Sequence, residues 1–244
     1  MMERDNVQGV GQGNDEMMRD EDRRELRDAD QLEAIAFIGE ALSPFYLQDP
    51  RKGTAAASFQ AMVDLDVEAA APAWPFVPED QAASALRMMV DSLVTCRDDE
   101  GRFLSDDDLM WEYRRLFIGP GKKPTPPWGS VYTDREMVVF GKSTLELRAW
   151  MRTHGIARTQ DERTPEDHIG LMLALMATLA RERPTCLDEF LRDHFLTWSG
   201  HFLEELAEAA EHPFYVGLAR LTAASLDGIR EARGVSVTYP RFYR

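Results

Sequence analysis

Residues 113–132 read Tyr-Arg-Arg-Leu-Phe-Ile-Gly-Pro-Gly-Lys-Lys-Pro-Thr-Pro-Pro-Trp-Gly-Ser-Val-Tyr, and a helical pattern breaks inside them. Ahead of the break, Ser105 through Phe117 places large apolar residues at Leu109, Tyr113, Leu116 and Phe117, the spacing of one helix face. Then Gly119, Pro120, Gly121, Pro124 and Pro126 forbid a regular element, and Pro127-Trp128-Gly129 follows at once. A long loop with bulky aromatics inside a helical chain is uncommon unless it builds something. The rest of the chain is read as the scaffold that holds this loop open toward a partner.

On the N-terminal side, residues 1–27 mix Gly, Asp, Arg and Met without apolar period and are expected to form a flexible tail, leaving 28–244 as one domain. From Asp30 the pattern turns helical (Leu32, Ile35, Ala36, Ile38, Leu42), and Ser43-Pro44 is expected to end or bend that helix. Thr54 to Val67 predicts a second helix, Pro72 to Pro78 a proline-rich break, and Glu79 to Cys96 a third helix. On the C-terminal side, Val138-Val139-Phe140-Gly141 reads as a very short strand or an extended connector. Ser143-Thr144-Leu145-Glu146 has capping-box spacing and predicts a helix that buries Leu147, Trp150 and Met151 and stops at Gly155. Thr159 to Thr164 is a polar linker. Thr164-Pro165-Glu166-Asp167 reads as an N-cap, a proline at the first helical position and two acids in the first turn. The helix from Asp167 to Arg183 is apolar on nearly all sides and belongs at the centre of a bundle. Leu187 to Ala210 and Pro213 to Arg233 predict two long amphipathic helices. The fold class is all-α, a single-domain bundle of about eight or more helices with one long Pro/Gly-rich loop.

The chain has 244 residues, 44% hydrophobic and 29% charged, the balance of a soluble globular protein. No apolar run approaches the ~18 residues of a membrane span, and the polar first thirty residues are no signal peptide. Cys96 and Cys186 lack metal-type spacing and fit two buried thiols in a reducing cytoplasm. A formal charge of −15 argues against a nucleic-acid surface. It serves solubility, and it also makes a field that draws a cationic partner.

Candidate chemistry centres on Asp167-His168. An acid in the first turn of a helix bonds the free amides of its own terminus, and a histidine near a helix end is often a core residue; both structural readings stand beside a functional one. A triad of Ser130, His168 and Asp167 is poor, because neighbours on a helix point ~100° apart and Ser130 lies in no strand-to-helix elbow. His194 and His201 are seven residues apart, too far along a helix to hold one ion alone, and no phosphate loop or dinucleotide fingerprint is present. What survives is a set of aromatics and prolines, Tyr113, Leu116, Phe117, Pro127, Trp128 and Tyr132, with carboxylates nearby. Leu116 and Phe117 read equally well as core plugs, whereas Trp128 is expected to be partly exposed. An apolar groove with acids at one end suits a peptide that begins with arginines and continues apolar.

Leu-Phe-Ile-Gly-Pro-Gly, Pro-Pro-Trp-Gly-Ser-Val-Tyr, Val-Val-Phe-Gly-Lys-Ser-Thr-Leu-Glu-Leu-Arg-Ala-Trp-Met and Pro-Glu-Asp-His-Ile-Gly occur in this order. With them, the chain over residues 105–244 resembles the TorD/DmsD family of redox-enzyme maturation chaperones, and its DmsD branch most. The resemblance implies an all-helical cytoplasmic chaperone, not an enzyme, with no cofactor and no metal. Its partners would be the twin-arginine leader and the immature catalytic subunit of a molybdenum reductase, with the export translocase as a further one. It implies a leader-binding surface of Tyr113, Leu116, Phe117, Pro127, Trp128, Asp167 and His168, and the adjoining Gly129 and Ser130 are expected to belong to the same peptide-binding set. It also implies a monomer with a minor form that swaps helices across the Thr159–Pro165 linker. Two other classes stay open: a nucleotide- or molybdopterin-handling accessory enzyme, and a permanent assembly subunit of a reductase complex.

Overall fold

The computed structural model describes residues 10–157 and 164–244, with residues 10–25 as backbone only. Eleven α-helices, and no strand beyond isolated bridges, occur among the described residues. The chain is therefore all-α. The first helix, α1 (Val10–Leu47), starts well before Asp30, so residues 10–27, expected as a flexible tail, have helical backbone. Pro44 lies inside α1 and the helix ends three residues beyond it at Leu47. Pro44 has no amide to offer the preceding turn, and the helix closes within one turn of it.

The predicted second helix divides into α2 (Ala56–Val63) and α3 (Val67–Ala73), because Asp66 leaves the helical region and its carboxylate accepts from the Glu68 and Ala69 amides. Pro72, the first residue of the expected break, falls within α3, which ends one residue later at Ala73. Helix α4 (Glu79–Asp91) and helix α5 (Asp107–Tyr113) follow, and α5 runs into a π turn at Arg114–Ile118 that closes with the Gly119 amide on the Arg114 carbonyl at 2.7 Å. After the Pro/Gly-rich loop come the single turn α6 (Ser130–Thr133) and α7 (Lys142–Thr153). Leu147, Trp150 and Met151 are buried, and α7 stops as predicted at Gly155, which takes φ +62°, while the Ile156 amide reaches back to the Met151 carbonyl at 2.8 Å.

The linker after α7 lies outside the described residues apart from Thr164. Helix α8 (Ile169–Glu182) begins after the predicted start, since Pro165 to Asp167 precede it. The expected long helix from Leu187 is α9 (Pro184–Phe190), a second π turn at Leu191–Phe195, and α10 (Ser199–Ala209). Helix α11 (Pro213–Ala232) agrees with expectation, and residues 235–244 follow it without regular secondary structure.

Helix α8 is the central post. Ile169, Met172, Leu173, Met176 and Leu179 are buried, and α1 lies along it. The approach is so close that a Cβ on Gly39 of α1 would overlap the Leu173 carbonyl. One side of α8 departs from the all-round burial expected: Leu171, Ala174 and Leu175 line a small apolar cavity with Leu47, Met151 and Ile156. Helix α11 packs on α4 and α10. Cys96 is buried, but Cys186 is only partly so.

Candidate functional site

The Pro/Gly-rich loop leaves the core at the π turn and returns to it at Pro127–Gly129, where it pairs with Asp167–Ile169. The Gly129 amide donates to the Asp167 carbonyl at 3.0 Å, and the Ile169 amide to the Pro127 carbonyl at 2.8 Å. The result is an antiparallel bridge between Trp128 and His168, residues forty positions apart. Backbone polar groups at such a junction need partners, and two segments with no helix of their own satisfy one another.

The side chains at this junction have exchanged the roles expected of them. Asp167 does not serve its own helix. Its Oδ2 accepts from the Ser130 amide at 2.7 Å, the first amide of α6, so it caps a helix on the other segment. The N-cap of α8 is His168, whose Nδ1 accepts from the Gly170 amide at 3.2 Å. Burial, aided by Lys123, pushes the His168 imidazole down from 6.5 to about 3, so the ring is neutral at physiological pH and carries its proton on Nε2. Burial also pushes the Asp167 carboxyl above its ordinary value, outweighing the pull of the Ser130 amide and of the Ser130 and Thr144 hydroxyls. Ser130 is fully buried, and with Asp167 and His168 both committed to caps no hydrolytic relay forms.

Of the other expected site residues, Tyr113, Leu116 and Phe117 are in the core, where Phe117 meets Tyr46, Tyr113 and Tyr215 edge-on or tilted. They take the plug alternative, and the apolar groove expected of Leu116 and Phe117 is not present on this surface. Pro127 and Gly129 are buried. Trp128 is half-buried: its ring meets His168 at 5.8 Å, and the Lys123 ammonium lies 5.3 Å from its centroid.

Where the two segments meet, the surface opens into a hollow of about 420 Å³. Gly129, Asp167 and Trp198 reach its wall, and Asp134, Glu136, Glu146 and Asp193 add four more carboxylates against the cations Arg135 and Lys142. Glu146 pairs with Lys142 at 3.2 Å and Asp193 with Arg192 at 2.5 Å. Asp134 accepts from the Ser143 amide at 3.1 Å and from its hydroxyl at 3.2 Å. This contact from nine residues away, rather than the predicted capping box, holds the start of α7. The C-terminal segment supplies the remaining wall through Thr238, Pro240 and Tyr243. It is fastened by the Tyr243 amide on the Tyr132 carbonyl at 3.0 Å, by Phe242 stacked on His201 at 4.4 Å, and by Arg244 on Glu205 at 3.1 Å. Sequence reading missed Asp134, Glu136, Glu146 and Asp193, which sit on three separate elements with no motif in common. Among the described residues, no three His, Cys, Asp or Glu side chains gather into a metal site.

The family model described as "Nitrate reductase delta subunit" matches residues 79–204. A chaperone of Salmonella typhimurium named Tat proofreading chaperone DmsD is 36% identical over 197 residues, 80% of this chain and 89% of its own length. The chain belongs to the TorD/DmsD family of chaperones. The probable Tat proofreading chaperone DmsD of Haemophilus influenzae is 51% identical over 137 residues, 56% of this chain and 68% of its own. At greater distance, the chaperone protein TorD of Vibrio vulnificus is 25% identical over 129 residues, 48% of this chain and 60% of its own. These family members are named as chaperones and not as enzymes.

Proposed function

We propose that this protein is a proofreading chaperone that binds the twin-arginine leader of an immature reductase catalytic subunit and withholds it from export until the subunit is mature. The observation that carries the reading is the carboxylate-lined hollow at the junction of the Trp128 and Asp167 segments. Two adjacent guanidinium groups are planar forks that suit carboxylates, and here carboxylates outnumber cations. The names of the relatives support the same role. No described helix is long and apolar enough to cross a membrane, and the binding is proposed to take place in the cytoplasm, where the leader is still attached.

Calorimetry with a synthetic leader peptide tests the reading. The intact peptide is expected to bind, and replacing both arginines by glutamine is expected to weaken binding about tenfold or more, ~1.4 kcal/mol per tenfold. Equal affinity for the two peptides would remove the hollow from the reading. The description of the matching family model favours one second reading, a permanent subunit of a reductase. That reading expects recovery at fixed stoichiometry with the mature, leaderless enzyme, whereas a chaperone is recovered only with the leader-bearing form.

A further inference from the structure

A leader of this kind offers arginines followed by an apolar stretch, and the hollow answers only the first part. Since Leu116 and Phe117 are closed into the core, the apolar part needs another seat. Immediately beyond the hollow's acidic wall, Met137, Val138, Val139 and Phe140 are all exposed, as is Leu145 one turn into α7. No other four consecutive large apolar side chains are exposed among the described residues. Single exposed apolar residues need no explanation, but a contiguous patch does.

The exposure is built in. The Asp134 carboxylate on the Ser143 amide and hydroxyl closes the neck of this loop, and the Met137 amide turns back onto the Asp134 carbonyl at 3.0 Å. A Cβ on Gly141 would overlap the Asp134 carboxylate, so the neck closes this tightly only with glycine there. Met137 and Phe140 hold φ of +50° and +65°, costly for residues with side chains and kept only where surroundings enforce it. The Arg148 guanidinium covers one face of the Phe140 ring at 5.1 Å. Neck residues Asp134 and Glu136 face the hollow while the tip carries the apolar side chains, so charge and grease lie side by side on one loop.

We propose that the tip of the Met137–Phe140 loop, with Leu145, seats the apolar stretch of the leader whose arginines occupy the hollow. This rests on the leader-binding reading above. The order of the two surfaces matches the order of the two chemistries in the ligand, and an extended segment covers the step from hollow to tip at ~3.3 Å per residue.

The test uses the full chain, a Val138→Ser/Val139→Ser double variant and a Leu145→Ser variant, at positions with ordinary backbone angles and exposed side chains. Two leader peptides are titrated, one intact and one with the apolar stretch replaced by serine and glutamine but the arginines kept. The double variant is expected to weaken the intact peptide about tenfold and the polar-tailed peptide by less than twofold, with unchanged melting temperature. Leu145→Ser is expected to act in the same direction with a smaller effect. Wild-type affinity of the double variant for the intact peptide would overturn the proposal, as would equal losses on both peptides. Should the patch instead join two copies of this chain, sedimentation would show a wild-type dimer abolished by the double variant with leader affinity untouched, which also overturns it. If the wild-type protein binds neither peptide, the leader reading itself fails, an outcome distinct from all of these.

Discussion

Leu116-Phe117 and Met137-Val138-Val139-Phe140 are both apolar runs beside charged residues, yet the first is sealed in the core and the second stands in solvent. The difference lies in what surrounds each run. Leu116 and Phe117 continue a helical face begun by Leu109 and Tyr113, and the π turn at Arg114–Ile118 keeps that face against Tyr46 and Tyr215. The second run has no helical neighbours to share a face with, and the Asp134–Ser143 neck fixes it pointing outward. Apolar character alone does not bury a side chain; a periodic partner set does.

Substitutions at the two runs would sharpen that contrast. Leu116→Ala is expected to cost ~2–5 kcal/mol in urea denaturation, the range for emptying a filled core position. A loss below ~1 kcal/mol would mean the π turn collapses readily onto the vacancy. The junction between the runs should show itself in pH dependence. The His168 imidazole is depressed from 6.5 to about 3, so the stability it contributes is complete above pH 6.5 and is lost as pH falls toward 3. His168→Asn keeps an acceptor for the Gly170 amide but no proton to take up, and the variant's stability should fall less across that window. Parallel acid limbs for the two proteins would contradict the buried, neutral ring.

Asp167 has the opposite sign. Its carboxyl is raised above 3.8, so the wild-type protein loses stability as pH rises from the unfolded-state value toward the folded one. Asp167→Asn keeps an oxygen for the Ser130 amide and should gain on wild type as pH climbs through the carboxylate range. At neutral pH it should bind the leader peptide several-fold less tightly, as calorimetry would measure. The smallest expected effect is Val139→Ser, within ~0.5 kcal/mol of wild-type stability. A larger loss would show that the exposed run shares in the core after all.

The long helices were readable because each carries its own signal. Apolar spacing marks α4 and α8, Pro213 opens α11, and Gly155 closes α7. Helix starts set by distant residues were not readable. Nothing near Ser130 tells that its amide will meet Asp167, and nothing near Ser143 tells that Asp134, rather than its own capping-box glutamate, will hold the turn. The π turn at Leu191–Phe195 and the turn at 196–198 that divides the predicted helix were invisible for a related reason: no Gly or Pro stands between Leu191 and Trp198 to announce either. At the site, the Trp128 and Asp167-His168 segments were found by their composition, but their pairing arises only from the backbone bridge. The hollow's other carboxylates come from elements that converge only in three dimensions.

The indole of Trp128 leans on the same imidazole ring that sets the first turn of α8. One aromatic edge therefore braces both the returning end of the Pro/Gly-rich loop and the opening turn of the innermost helix, and a substitution that removes the indole would bare the imidazole on which that turn depends.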